Sequence, residues 1–302
     1  MVLIGAARTA PSRSPIIPNL FMNNRPPSTF SAPVLTLVIA VYNKPEILRL
    51  VLAACVRQSF SAYEIIVADD GSGKAIREVV EEAKKAWALP ITHLWHEDRG
   101  WRKNTMLNNA IRASTTGYLV FIDGDCLPSR DFLRDHWAER EAGKVLLGRR
   151  VETSQRWADA LTPEMVSSGA FEKYHWADWM DGLRGDALRL EDGIRLPSRM
   201  LRKMLLRNVR GMLGSNFSVG QDALEKINGF DELYNGPGCG EDSDPQFRLG
   251  LIGVTGKPLR NLAIQYHIHH RLTSVSDECW DRFEKVKTLH AARCRNGLVR
   301  EE

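Results

Sequence analysis

LTLVIAVYNKPEILRLVLAACV, residues 35–56, changes period in mid-course. Its first seven residues form an apolar, β-branched-rich run without polar alternation, the pattern of a strand covered on both faces. Pro45 suits the first turn of a helix, and after it Ile47, Leu48, Val51, Leu52 and Cys55 recur at helical spacing. The same change repeats downstream. YEIIVA (63–68) predicts a second strand, and AIREVVEEAKKAWA (75–88) predicts a helix with Ile76, Val79, Val80, Ala83 and Trp87 on one side. ITHLW (91–95), NTMLNNAIRAS (104–114) and YLVFI (118–122) continue as strand, helix and strand. Such alternation predicts an α/β fold, with a mostly parallel central sheet and helices on both faces. Ligands of these sheets bind outside the carboxyl ends of the strands. There the chain places VYNK, ADDGS, EDRGWRKN and DGD, four polar segments that converge on one crevice.

The 302 residues, 43% hydrophobic and 26% charged, suffice for one large domain or two modest ones. A net charge of +4 is too mild to argue for nucleic acid, and suits anionic small molecules or a membrane surface. Five cysteines lie scattered without a C-x-x-C pair, as expected of reduced thiols in a cytoplasmic protein. LTLVIAV, the longest apolar run, is too short to cross a bilayer, and the N-terminus lacks the basic-then-apolar order of a secretion signal. Residues 1–33, rich in Pro, Ser, Arg and Asn, read as a flexible, disordered leader. An α/β half at 34–150, a second half of the same domain at 151–275 and a C-terminal helix within 276–302 follow. That helix is expected to turn Trp280, Phe283, Val286 and Leu289 toward the body. Residues 151–212 are irregular. Their Trp157, Trp176 and Trp179 read as local core in preference to a sugar platform. The run RLPSRMLRKMLLRNVRGM (195–212) reads as a solvated helix, or as one lying on anionic lipid with Leu and Met turned inward.

Several constellations could carry chemistry. An extended Asp123-Gly124-Asp125 puts both carboxylates on one side, where a hard divalent cation would separate them; a solvated D-G turn is the structural alternative. Asp69 and Asp70 could accept from a base or ribose, or simply start a turn. Arg99, Arg102 and Lys103 precede a helix N-terminus, a place that suits phosphate, or they form a solvated basic turn. In GEDSD (240–244), Asp244 is expected to cap a helix opened by Pro245, leaving Glu241 and Asp242 to answer the helix macrodipole or to supply a general base. In YHIHH (266–270), His267 and His269 share a face of an extended chain and could reach a metal, or serve as structural histidines of the core.

Taken in order, VIAVYNK, ADDGS, DRGWRKNTMLNNAI, YLVFIDGDCLP, GSNFSV…INGFDE, GEDSD and YHIHH resemble the family-2 glycosyltransferases of GT-A fold. The likeness is to the bacterial branch whose C-terminal part looks like galactosyltransferases, and it runs from Val34 to Arg271. It implies an enzyme that moves a hexose from a nucleotide donor, UDP in the first instance, to a saccharide or lipid-linked acceptor hydroxyl with inversion. Tyr42, Asn43 and Asp70 would then hold the nucleotide, joined by Arg102 and Asn104. Asp123 would contact the ribose or the metal, and Asp125 would bind a divalent Mn or Mg ion, with His267 as a further ligand and His269 its rival. Asp242 would be the base and Glu241 would hold the acceptor. The glycine turn before Glu241 has Cys239 where galactosyltransferase-like members often carry tryptophan, so the resemblance does not specify galactose. The lack of a membrane span, with a basic surface, suits a cytoplasmic location, peripheral at the cytoplasmic face of the inner membrane. Two other readings compete. A nucleotidylyltransferase would need a glycine-rich loop after the first strand, and VYNKPE has no glycine. A non-catalytic nucleotide- or carbohydrate-binding protein on the same scaffold would typically have lost Asp125 or Asp242, and both are present.

Overall fold

The structure, a computed structural model, describes residues 32–87, 89–205, 211–238, 240–270 and 278–300. The leader up to residue 31, Cys239 and the end of the basic run at 206–210 lie outside the described residues. The expected alternation is present: β1 (Leu35–Val41), α1 (Pro45–Val56), β2 (Tyr63–Asp69), α2 (Lys74–Trp87), β3 (Ile91–Trp95), α3 (Lys103–Ala113) and β4 (Tyr118–Asp123) follow one another. β1 pairs in parallel with β2 on one side and β4 on the other, and β2 pairs with β3. Beyond β4 come β5 (Cys126–Pro128), α4 (Phe132–Glu139), β6 (Lys144–Leu147) and β7 (Val151–Glu152). The helices α5 (Gln155–Ala160), α6 (Pro163–Ser168), α7 (Trp176–Arg184) and α8 (Arg199–Leu205) cross the irregular stretch. β8 (Phe217–Gly220), α9 (Gln221–Lys226), α10 (Ser243–Leu251), β9 (Thr255–Pro258), β10 (Gln265–His267) and α11 (Glu278–Leu289) complete the order.

β8 runs antiparallel between β4 and β6, so the main sheet reads β3-β2-β1-β4-β8-β6-β9. Phe121 and Phe217, opposite each other in the β4–β8 pair, stack at 4.5 Å. Leu37 and Ile39 of β1 pack with Leu48, Leu52, Val79 and Trp87 of α1 and α2, while Val38 packs with Met106, Leu107 and Ile111 of α3. Both faces of β1 are therefore core, which is why its sequence has no polar alternation. Each such buried side chain contributes roughly 1.5–3 kcal/mol. A second sheet, β5-β10-β7, is built from strands of two or three residues and stands beyond the end of β4.

Several expectations about the second half need correction. Trp157 is core, but Trp176 is 77% exposed on α7 and Trp179 is exposed beside Tyr174. On α11, Val286 is buried and Phe283 half-buried, whereas Trp280 and Leu289 face solvent; the helix is held instead by Arg282 on Asp231 at 3.0 Å. α10 starts at Ser243, so Asp244 lies inside its first turn and is no cap; fully buried, it pairs with Arg248 at 2.8 Å. Among the described residues, no helix is long and apolar enough to cross a membrane.

Candidate active site

Past the end of β1 and Tyr42 come two residues with left-handed backbone, Asn43 (φ 52°) and Lys44 (φ 57°). Side chains disfavour this region by roughly 1–2 kcal/mol, asparagine least. Bonds to the neighbouring loop hold the turn: the Asn43 N–H donates to Ser72 Oγ at 2.7 Å, and the Gly73 N–H donates to Asn43 Oδ1 at 3.3 Å. After β2 the two aspartates part. Asp69 is buried, accepting from the Ser72 N–H and pairing with His93. Asp70 accepts from the Arg102 N–H ahead of α3 (2.9 Å) and meets His96 Nε2 at 2.8 Å; burial raises its carboxyl above the usual value despite these bonds. Together the strand ends enclose a cleft of about 390 Å³ lined by Tyr42, Asn43, Lys44, Asp70, Trp101, Lys103, Asp123, Asp125 and His270, among others.

Between Asp123 and Asp125 the chain turns instead of running extended. Gly124 is required there, because its N–H donates to the Ala40 carbonyl at 2.7 Å and a Cβ would stand 2.6 Å from Val41 Cγ1. Asp123 faces Lys103 Nζ at 2.5 Å and Arg150 at 3.8 Å. Asp125 faces Lys44 Nζ at 3.2 Å, His270 Nε2 at 3.0 Å and His267 Nε2 at 3.6 Å. Burial alone would raise the Asp125 carboxyl, but these neighbours outweigh it and hold the group well below the usual range. Ligand atoms of Asp125, His267 and His270 all lie within 4.8 Å of one another. His269, the sequence-level rival, is exposed, and its backbone N–H is bound by Thr153 Oγ1. β10 ends at His267, so the alternation of an extended strand no longer applies, and His270 arrives in the place expected of His269.

Behind His267 stands Glu152 of β7, whose Oε2 lies 2.6 Å from His267 Nδ1. This contact favours the proton on Nδ1 and leaves Nε2 as the ligand atom. Arg150 Nε donates to the other Glu152 oxygen at 2.8 Å, and His267 with Arg150 brings Glu152, despite its burial, down to about 2.

The second centre is Glu241 and Asp242. Glu241 is buried and accepts from the Gly238 N–H at 2.7 Å; half-buried Asp242 accepts from the Gly214 N–H at 2.8 Å. Gly214 has no room for a side chain, since a Cβ would lie 2.1 Å from Asp242 Oδ1. Burial pushes Asp242 up to about 6, with Lys103 opposing the rise and Glu241 adding to it. Lys103 pairs with Asp123, and its charge is felt at Asp242 as well. Burial alone would lower its ammonium, but Asp123, Asp242 and Glu241 hold it above its ordinary value.

Of the other expected residues, Tyr42 lines the cleft, whereas Arg102 and Asn104 do not. Tyr42 is exposed at the rim and donates to Asp98 at 3.0 Å. Arg102 lends its backbone to Asp70 and folds its guanidinium onto the Glu97 carbonyl. Asn104 is buried, donating to the Asp231 carbonyl at 2.8 Å, so its amide braces a loop and does not line the cleft. The sequence reading did not single out Lys44, Arg150, Glu152 or His270. Lys44 and His270 stood inside quoted motifs; Arg150 and Glu152 carried no signal.

The mostly parallel α/β sheet, with a carboxylate–histidine cluster at its strand ends, has the GT-A fold, and solved structures match that fold. The Pyrobaculum calidifontis mannosyltransferase PcManGT, solved with GDP-Man and Mn2+, superposes with a TM-score of 0.52 at 16% identity over 86% of this chain and 63% of its own. S. aureus TarS 1–349 with UDP gives 0.54 at 16% identity over 85% and 64%. Residues 36–227 match the sequence model of glycosyl transferase family 2, and the chain belongs to that family. Relatives include the chondroitin synthase of Escherichia coli, 27% identical over 77% of this chain and 34% of its own. Validoxylamine A glucosyltransferase of Streptomyces hygroscopicus subsp. limoneus is 27% identical over 82% of this chain and 54% of its own. The chain thus spans between about a third and about half of the length of these relatives.

Proposed function

We propose that the cleft transfers a hexose from a nucleoside diphosphate donor, UDP-linked in the first instance, to a hydroxyl of a saccharide or lipid-linked acceptor, with inversion. The observation that carries this reading is the cluster at the strand ends, where Asp123 pairs with Lys103 at 2.5 Å and ligand atoms of Asp125, His267 and His270 lie within 4.8 Å of one another. Tyr42, Asn43 and Asp70 border the space for base and ribose. Asp125, His267 and His270 offer one carboxylate and two imidazoles, a mixed donor set that suits a first-row divalent ion such as Mn2+ better than Mg2+, which prefers oxygen alone. Such an ion would offset the negative charge that builds on the departing diphosphate. Lys44 and Lys103 add cationic charge on either side of it.

Asp242 takes the proton of the acceptor hydroxyl as its oxygen bonds to the anomeric carbon. The bond from that carbon to the diphosphate oxygen breaks on the opposite side, and the nucleoside diphosphate leaves. A base near 6 is ionised at neutral pH yet basic enough to help. Glu241 lies beside Asp242 to receive an acceptor hydroxyl. Asp242→Asn tests the assignment: turnover is expected to fall by about 10²–10⁴ with nucleotide affinity unchanged. Undiminished turnover in that variant would remove Asp242 from the chemistry.

A further inference from the structure

α8 has its polarity reversed for a surface helix. Arg202 is the buried residue, its guanidinium donating to the carbonyls of Leu196 and Pro197 and to Glu139 at 2.8 Å each. Met200 and Met204, each 69% exposed, and Leu201, 46% exposed, face outward, opposite to the inward packing expected from the sequence. Arg199 and Lys203, one turn apart, are exposed beside them. No acidic residue occurs between Ile194 and Leu205. An outward face of this kind gains nothing in water. Unbranched methionines with flanking cations are what an interfacial helix presents to a bilayer, with apolar side chains among the acyl chains and cations at the anionic headgroups.

We infer that α8 is a membrane-contact face that seats the enzyme on an anionic lipid surface through Met200, Leu201 and Met204, with Arg199 and Lys203 at the headgroups. Charge selects this occupant, because an apolar face meant for a second copy of the chain would bring the same cations against each other unless acids faced them. The inference stands apart from the metal and base assignments, and its test needs no turnover.

The test is co-sedimentation of the full chain with vesicles of phosphatidylglycerol or of phosphatidylcholine, at low and high salt. Wild type is expected to pellet with the anionic vesicles at low salt and to be released by salt. Arg199→Glu/Lys203→Glu should weaken that binding by about tenfold or more, since each cation near such a surface is worth about 1 kcal/mol. Met200→Ser/Leu201→Ser/Met204→Ser should weaken it as well, with melting temperature unchanged because all three positions are exposed. Failure of wild type to pellet, equal pelleting with both lipids, or binding untouched by both variants would each overturn the inference. So would a concentration-dependent dimer that the serine variant abolishes, since the face would then belong to a second copy.

Discussion

At the scale of single residues, the proposed chemistry turns on which charges lie near which carboxylates. Asp242 is raised by burial and held in check by Lys103, so kcat/KM should rise with pH and level off above about 6, as the free base ionises. Lys103→Met removes the opposing cation and makes Asp242 harder to ionise, so the acid limb should move to higher pH; an unmoved limb would separate Lys103 from the base. Gly214→Ala places a Cβ against Asp242 and should lower kcat while leaving nucleotide affinity intact. Asp125, Asp242 and His267 were legible in the sequence because each sits in a motif at a strand or helix end. Asp244 misled, since Pro245 drew the helix start two residues too late and the acid turned out to be a buried partner of Arg248.

At the scale of elements, the long parallel strands and their helices follow from periodicity, because two covered faces demand a nearly unbroken apolar run. The second sheet does not. Strands of two or three residues carry no period, so nothing in the sequence brought Glu152 of β7 beside His267 of β10. That juxtaposition has a measurable consequence. Carboxylates that orient a ligating histidine typically contribute 10–100-fold in metal affinity. Glu152→Ala should therefore weaken Mn2+ binding by about that factor in an EPR titration, and Glu152→Gln, which can still accept from Nδ1, should recover part of it. Equal Mn2+ affinity in the alanine variant would leave Glu152 a bystander.

At the scale of the whole molecule, the main sheet is stitched from both ends of the sequence, and β8 lies at the seam. His136 of α4 is wholly buried there between Ser218 Oγ (2.8 Å) and Asn216 Oδ1 (3.1 Å), and burial lowers it to about 3. Its ordinary value in the unfolded chain is about 6.5. Between these values the unfolded chain binds the proton and the fold does not, so stability is full above about 6.5 and falls as pH drops toward 3. Urea midpoints measured across that range should decline on acidification, less steeply in His136→Gln. The central claim concerns the cleft that this fold positions. Its most direct test is calorimetric titration of UDP and GDP and their sugars, with and without Mn2+, into wild type and Asp125→Ala. One nucleotide class is expected to bind wild type, Mn2+ to strengthen the binding, and the variant to lose the Mn2+-dependent part. Absence of binding by folded wild type, or binding that ignores both Mn2+ and Asp125, would contradict the claim.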